Sequence, residues 1–210
     1  MDRGYIYLNK NNYLHNIEVL KNLSKKELCL VVKANAYGHG LEWAVKNAKE
    51  SGVKWFAVAS VGEGIQVKTV YGESRVLLLA EPSKNQLENV KVNDIDLTVY
   101  SESFIDTLIK TGDEYNVHLK IDTGMHRLGC PPEKFHDLYK KIVDSNLNLI
   151  GICTHFPLAD TDETETKKSI ELFEKTISDI DLSNMLLHVD NSASSLYKLD
   201  NSFNMARVGI

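Results

Sequence analysis

The sequence contains no long apolar run and no export signal. None of its apolar stretches approaches the roughly 18 residues that a membrane-spanning helix needs. The first five residues lack the basic flank and apolar stretch of a signal peptide. Hydrophobic residues still make up 43% of the 210 residues, which is enough for one sizeable core. These features predict a cytoplasmic chain without a membrane segment.

The chain carries less positive than negative charge: its 24 Lys and Arg and 29 Asp and Glu give a formal net charge of -5. A nucleic-acid-binding domain needs a clustered basic surface. Lysine pairs such as those at 25–26 and 140–141 instead look like solvated helix faces. We therefore expect no nucleic-acid partner.

Cysteine is scarce as well. The three cysteines, Cys29, Cys130 and Cys153, are an odd number at unrelated spacings. They predict neither a disulfide framework nor a zinc motif, and they fit a reducing compartment. The histidines add no metal-ligand spacing, so we expect no metal site.

Short apolar runs alternate with amphipathic stretches from one end of the chain to the other. The apolar runs predict eight strands, at 28–34, 55–60, 75–80, 96–101, 117–122, 149–156, 185–191 and 204–210. The clearest helical patterns lie at 11–22, 41–51, 102–111, 133–144 and 164–180. Strands separated by helix-sized segments indicate βα repetition and a parallel sheet.

Eight such strands are the number that closes a (β/α)8 TIM-type barrel. The strand at 117–122 supports a barrel over an open, doubly wound sheet, because its apolar residues share one face and His118, Lys120 and Asp122 share the other. An open parallel sheet buries both faces under helices and tolerates a polar row badly. We therefore predict one α/β barrel domain over residues 1–210, incomplete at its C-terminal end because the chain stops inside the last strand segment.

Lys33 is the most informative single residue. Alternation along the first predicted strand places Val31, Lys33 and Asn35 on the inward face. A buried lysine loses its proton readily and becomes a nucleophile for Schiff-base chemistry. The pattern alone leaves open that Lys33 extends to solvent at the strand end.

Five polar segments at predicted strand ends carry a family resemblance. Residues 31–40 resemble the lysine motif of the alanine racemase family, whose members are fold-type III amino-acid racemases that depend on pyridoxal 5'-phosphate. Later family segments are matched in the same order at 120–129, 154–156, 191–192 and 207–210. The resemblance covers essentially the whole chain and identifies it as the N-terminal barrel domain of such an enzyme. It implies racemisation of a small amino acid, L-alanine to D-alanine for peptidoglycan precursors.

The resemblance also implies roles for single residues. Lys33 is the catalytic base and holds pyridoxal phosphate covalently, and Arg207 faces the pyridine nitrogen. Arg127 binds the substrate carboxylate, next to Lys120 as a possible carbamylated lysine. Gly151 and Cys153 are small and leave room for the ring of His155 beside them. The remaining cofactor contacts implied are Tyr37, His155, Asn191, Ser192, Gly209 and Ile210, while His188 supports them.

Members of the family carry a second, β-rich domain after the barrel, which supplies a tyrosine to the active site of the partner subunit in a homodimer. Nothing in the sequence corresponds to it, so we expect a chain truncated before that domain, able to bind the cofactor but not to racemise efficiently. Two alternatives stay open. One is the serine racemase domain of glycopeptide-resistance type, and the other is a non-catalytic single-barrel pyridoxal-phosphate carrier, whose lysine motif differs from residues 32–38.

Overall fold

The computed structural model describes residues 4–197 and 203–209, and in them eight parallel strands form a closed barrel in sequence order. The ring closes where β8 pairs with β1, from Glu27 opposite Met205 to Val31 opposite Gly209. The predicted barrel is therefore confirmed. The strands are β1 Glu27–Val31, β2 Trp55–Val58, β3 Arg75–Leu78, β4 Ile95–Val99, β5 Asn116–Lys120, β6 Asn148–Cys153, β7 Leu186–Asp190 and β8 Met205–Gly209.

Every predicted strand is present, but most of the predicted C-terminal ends were two or three residues too late. The alternation of apolar and polar residues continues past the last ladder hydrogen bonds into the loops, so the pattern does not mark where a strand stops. The error matters at β1, which ends at Val31, so that Lys33 and Asn35 lie beyond the strand. Ile210 lies outside the described residues.

Besides two single-turn 3-10 helices at Lys84–Gln86 and Pro132–Lys134, nine α-helical segments accompany the strands in the described part of the chain. They are α1 Lys10–Ser24, α2 Lys33–Tyr37, α3 Leu41–Glu50, α4 Val61–Val70, α5 Leu87–Val92, α6 Glu102–Thr111, α7 Phe135–Val143, α8 Glu163–Thr176 and α9 Ser192–Tyr197. All five predicted helices are confirmed. None of the helices in residues 4–197 and 203–209 is both long and apolar enough to cross a membrane.

Sequence reasoning missed α4, although a local signal was available. Ser60 and Glu63 form a capping box, in which the Ser60 hydroxyl accepts from the Glu63 N–H and the Glu63 carboxylate accepts from the Ser60 N–H. Gly62 and Gly64 lower helix propensity and obscure the pattern. The short helices α5 and α9 offer too few turns for periodicity to be read.

The two faces of the strands build different cores. Outward residues such as Leu28, Leu30 and Leu119 pack between the strands and the helices. Inside the ring one side is apolar, formed by Cys29, Val31, Trp55, Ala57, Leu77 and Met205. The other side carries the buried polar groups Asp96, His118, Lys120, His188 and Arg207. The predicted polar inner face of β5 is thus confirmed for His118 and Lys120. The three cysteines are buried and unpaired.

Glu63 ties the end of β1 to the end of β2. Beyond its capping role, its carboxylate accepts from the N–H of Ala34 at 2.6 Å and from that of Ala59 at 2.9 Å. Hydrogen bonds to a charged acceptor are stronger than those between neutral groups. The contact with Ala34 fixes the backbone immediately after Lys33.

We predict that Glu63→Ala lowers the free energy of unfolding by about 2 kcal/mol, because three backbone N–H groups and a helix cap lose their acceptor together. Glu42→Ala is the matched control, since Glu42 lies in the first turn of α3 and is exposed. Chemical denaturation monitored by circular dichroism measures both variants. An equal effect of the two substitutions would contradict the proposed role of Glu63.

Candidate active site

The carboxyl ends of the strands surround a cavity of about 670 Å³ at the mouth of the barrel. In parallel barrels this end, with the loops that follow the strands, carries the reactive groups. All nine described residues that the sequence predicted for the site line this cavity: Lys33, Tyr37, Lys120, Arg127, His155, Asn191, Ser192, Arg207 and Gly209. Residues from five separate segments of the sequence are therefore brought together in one place.

Lys33 enters the cavity from an unusual turn. Ala34, Asn35, Ala36 and Tyr37 all have left-handed backbone conformations, with φ between 51° and 54°. Such a conformation costs roughly 1–2 kcal/mol for each L-residue, so the surroundings must hold it in place. A strained backbone segment directly after a cavity-lining lysine, here Lys33, is typical of a functional site.

Two contacts stabilise this turn. Glu63 accepts from the N–H of Ala34 at its start, and the Asn35 side chain accepts from the N–H of Leu41 at 2.8 Å. The second contact corrects the sequence prediction, which placed Asn35 on the inward face of β1 with Lys33. Because the strand has already ended, Asn35 instead connects the turn to the first residue of α3.

A cup of small and hydroxyl-bearing residues lies beside the turn. A Cβ atom on Gly209 would lie 3.0 Å from the Tyr37 hydroxyl, so a larger residue there would push the ring away by a few tenths of an ångström. The Gly209 N–H donates to the Ser192 hydroxyl at 3.0 Å. Burial raises the pKa of Tyr37, which keeps its phenol protonated and able to donate. The cup thus presents hydrogen-bond donors suited to an anion.

Asn191 has a local structural task at this cup. Its side-chain oxygen accepts from the Ser194 N–H at 3.1 Å, and its own N–H donates to the Ser194 hydroxyl at 3.0 Å. Asn191 therefore fixes the start of α9 and the position of Ser192. Asn191 thus has a structural role in addition to the cofactor contact that the family resemblance implied.

Arg207 is buried and held at both arms of its guanidinium. One Nη atom lies 2.7 Å from His188 Nδ1 and donates to the His188 carbonyl, and the other donates to the Thr154 carbonyl at 2.5 Å. Guanidinium remains protonated in proteins. The barrel therefore presents a fixed cationic donor to the cavity, on the strand that pairs with β1.

Lys120 is buried, with 8% of its surface exposed, and lies in register with Cys153. Burial lowers its pKa, and the charges of Arg207 and Arg127 lower it further against an opposing contribution from Cys153. A lowered pKa increases the fraction of neutral, nucleophilic amine. Arg127 is exposed at the rim, in a loop that the Asp122 carboxylate fixes by accepting from two backbone N–H groups.

His155 lies among four cationic groups. Burial lowers its pKa to about 3, and the charges of Arg207, Lys120, Arg127 and Lys33 act in the same direction. The ring is therefore neutral near pH 7 and can pack against a flat ligand or accept a hydrogen bond.

Together these features define a (β/α)8 barrel with a lysine, a fixed arginine and a donor-lined cup at its mouth. The model of the alanine racemase N-terminal domain matches residues 8–210. This chain therefore belongs to the alanine racemase N-terminal domain family.

Similar proteins agree with this membership. The alanine racemase of Treponema denticola is 37% identical over 214 residues, which cover 95% of this chain and 56% of that protein. An amino-acid racemase of Enterococcus faecalis is 35% identical over 182 residues, covering 84% of this chain and 26% of that protein. The solved alanine racemase of Clostridium difficile 630 superposes with a TM-score of 0.88 at 30% identity, over 95% of this chain and 55% of that chain. The chain spans little more than half the length of the alanine racemases that it matches.

We predict that His155 makes the fold sensitive to acid. Its pKa in the folded chain, about 3, lies below its usual value of 6.5, so the unfolded chain binds more protons between these values. The free energy of unfolding should therefore fall as the pH drops from 6.5 towards 3. His155→Gln should make this decline shallower, whereas His15→Gln, at an exposed position, should not. Denaturant titrations at several pH values measure the slope; equal slopes in wild type and His155→Gln would refute the prediction.

Proposed function

We propose that this chain is the cofactor-binding barrel of an enzyme that racemises a small amino acid with pyridoxal 5'-phosphate. The proposed reaction is the conversion of L-alanine to D-alanine for peptidoglycan precursors. One observation carries the proposal: Lys33, Arg207 and the cup at Gly209 converge on one cavity, within a chain of this family. A cytoplasmic location and a homodimer with shared active sites belong to the same proposal, supported by the family alone.

The residues of the cavity fit this cofactor. Its volume of about 670 Å³ lies within the usual range for small-ligand sites. A phosphate finds donors in the Tyr37 phenol and in the Ser192 hydroxyl, which the Gly209 N–H holds in place. Lys33 supplies the amine that an aldehyde requires, and His155 supplies a neutral ring. When bound, pyridoxal phosphate makes the α-proton of an amino acid acidic by delocalising negative charge.

Lys33 and Arg207 would divide the catalytic work. The Lys33 amine would accept or deliver the α-proton on one face of the α-carbon. Arg207 would donate to the pyridine nitrogen, and because guanidinium keeps its proton, that nitrogen would stay unprotonated. An unprotonated pyridine withdraws charge weakly, which disfavours transamination. Inversion needs a second proton-transfer group on the opposite face, so we expect little racemisation from this chain alone.

Arg127 and Lys120 would form the substrate-carboxylate site. The fork of Arg127 suits a carboxylate. We infer that the Lys120 amine adds to carbon dioxide, so that an N–C bond forms and one proton leaves to solvent. The resulting carbamate carries a negative charge that pairs with Arg127, whereas an ammonium there would be repelled.

Serine is the second candidate substrate. The Enterococcus faecalis relative is an amino-acid racemase of which this chain covers only 26%, so barrels of this kind also occur within much longer proteins. Initial rates on L-alanine and L-serine, measured on an enzyme that contains this barrel, distinguish the two assignments.

We predict that Lys33→Ala abolishes covalent retention of pyridoxal phosphate, because the condensing amine is removed. After borohydride reduction, peptide mass spectrometry should locate the pyridoxyl group on Lys33 of the unchanged protein. The control Lys46→Ala, at an exposed position of α3, should retain the label. Racemisation by an enzyme that contains this barrel should fall at least about 100-fold in Lys33→Ala. A label on another lysine would contradict the proposal.

We further predict that Lys120 binds carbon dioxide, because its lowered pKa increases the fraction of neutral amine. With ¹³C-bicarbonate, the carbon NMR spectrum should show a carbamate signal that Lys120→Ala removes and Lys46→Ala preserves. A carbamate signal that survives Lys120→Ala would exclude this assignment.

A further inference from the structure

We propose that Asp96, His118 and Gly151, inside the barrel beneath the cavity, are positioning residues that fix the hydrogen-bonding state of Arg207. The proposal rests on the proposed function only in giving Arg207 its role toward the cofactor. The proposal concerns a row of hydrogen-bonded side chains, Asp96, His118, His188 and Arg207, and it can be tested without any ligand.

The row crosses the barrel interior from β4 to β8. The Asp96 carboxylate lies 3.4 Å from His118 Nε2, His118 Nδ1 lies 2.8 Å from His188 Nε2, and His188 Nδ1 lies 2.7 Å from the Arg207 guanidinium. Asp96 and both histidines have no exposed surface, and Arg207 has 7%. Solvent therefore cannot substitute for a missing partner in this row.

The chemistry of Arg207 fixes the direction of every bond. Guanidinium only donates, so His188 Nδ1 must carry a lone pair. Burial, followed by the charge of Arg207, lowers the pKa of His188, so its ring is neutral and its one proton lies on Nε2. That N–H donates to His118 Nδ1, which must accept. The proton of a neutral His118 then lies on Nε2 and points to Asp96.

The opposite end of the row demands the same direction. The Asp96 carboxylate accepts from Arg75 at 2.6 Å and from the Asn116 side-chain nitrogen at 3.2 Å, and both of these groups donate. A carboxylate held by donors on its other sides accepts from His118 Nε2–H as well. Both ends therefore select one tautomer for each imidazole.

Gly151 provides the space that the row needs. His118 on β5 and His188 on β7 meet across β6, the strand between them. A Cβ on Gly151 would lie 2.7 Å from His118 Nδ1 and 2.5 Å from the Leu186 carbonyl oxygen. The sequence suggested that the small residue at 151 makes room for the ring of His155. The structure instead places His118 against Gly151, at the atom that bonds to His188.

A change in this row would reach Arg207 directly. Without the acceptor on His118, the buried Nε2–H of His188 has no partner, so the His188 ring is no longer held from that side and can turn away from Arg207, which then loses the 2.7 Å contact. Arg207 would then keep only its carbonyl contacts and lose its fixed orientation toward the cavity. Asp96 and His118 thus act through His188 and touch no reacting atom.

Nitrogen NMR of the ¹⁵N-histidine-labelled protein without cofactor tests the proposal directly. We expect Nδ1 of both His118 and His188 to be unprotonated and Nε2 of both to carry the proton. The reverse tautomer, or a doubly protonated ring, for either histidine would overturn the proposal. This measurement needs no substitution, so it does not depend on whether a variant folds.

Two variants test the consequence for Arg207. In His118→Phe and Gly151→Ala we expect the nitrogen resonances of His188 to shift, because its Nε2–H loses its acceptor, and the Kd for pyridoxal phosphate to rise about 10-fold, the lower end of the effect of supporting hydrogen-bond partners at other sites. The control Gly62→Ala, where an added Cβ meets no atom within 4 Å, should change neither property. Unchanged His188 resonances and an unchanged Kd in His118→Phe would overturn the proposal. If Lys33 of the wild-type protein carries no pyridoxyl group after borohydride reduction, the proposed function is refuted. The tautomers of His118 and His188, measured by nitrogen NMR, would still test this inference.

Discussion

The pairing of β1 with β8 brings two distant parts of the sequence together at one point of the barrel mouth. Val31 lies opposite Gly209, so the turn that carries Lys33 and Tyr37 lies beside the backbone of β8. The missing side chain of Gly209 leaves room for the close approach of the Tyr37 ring. Parallel strands all present their carboxyl ends at the same edge, and closure of the ring makes that edge a cavity. The candidate site exists because the ring closes in this register.

Positive charge is concentrated in the cavity at the mouth of the barrel, and it determines which ligands and which protonation states are favoured there. Lys33, Lys120, Arg127 and Arg207 all line it. Cations so close together favour anionic ligands such as phosphate and carboxylate, and they lower the pKa values of neighbouring bases. Burial, together with these charges, lowers the pKa of His155 and of His188, so both rings are neutral and serve as hydrogen-bond partners and ring contacts. Beneath the cavity, in the polar half of the barrel interior, the Asp96 carboxylate offsets part of this positive charge.

The sequence was sufficient for the barrel and the polar inner face of β5, because alternation is a local property, whereas the residues of the mouth were implied by the family resemblance of five segments. It was insufficient at the end of β1, where alternation continues but the ladder stops. Nothing in residues 34–37 except Asn35 favours a left-handed turn, which depends on tertiary contacts such as the carboxylate of Glu63. The meeting of His118 and His188 depends on the relative register of three strands, which no single segment encodes.

A crystal structure of the protein grown with pyridoxal phosphate tests the central claim most directly. The account predicts continuous electron density from the Lys33 Nζ atom, a phosphate in contact with Tyr37, Ser192 and Gly209, and Arg207 in contact with the ring nitrogen. Density attached elsewhere, or a Lys33 side chain directed away from the cavity in the presence of the cofactor, would contradict it.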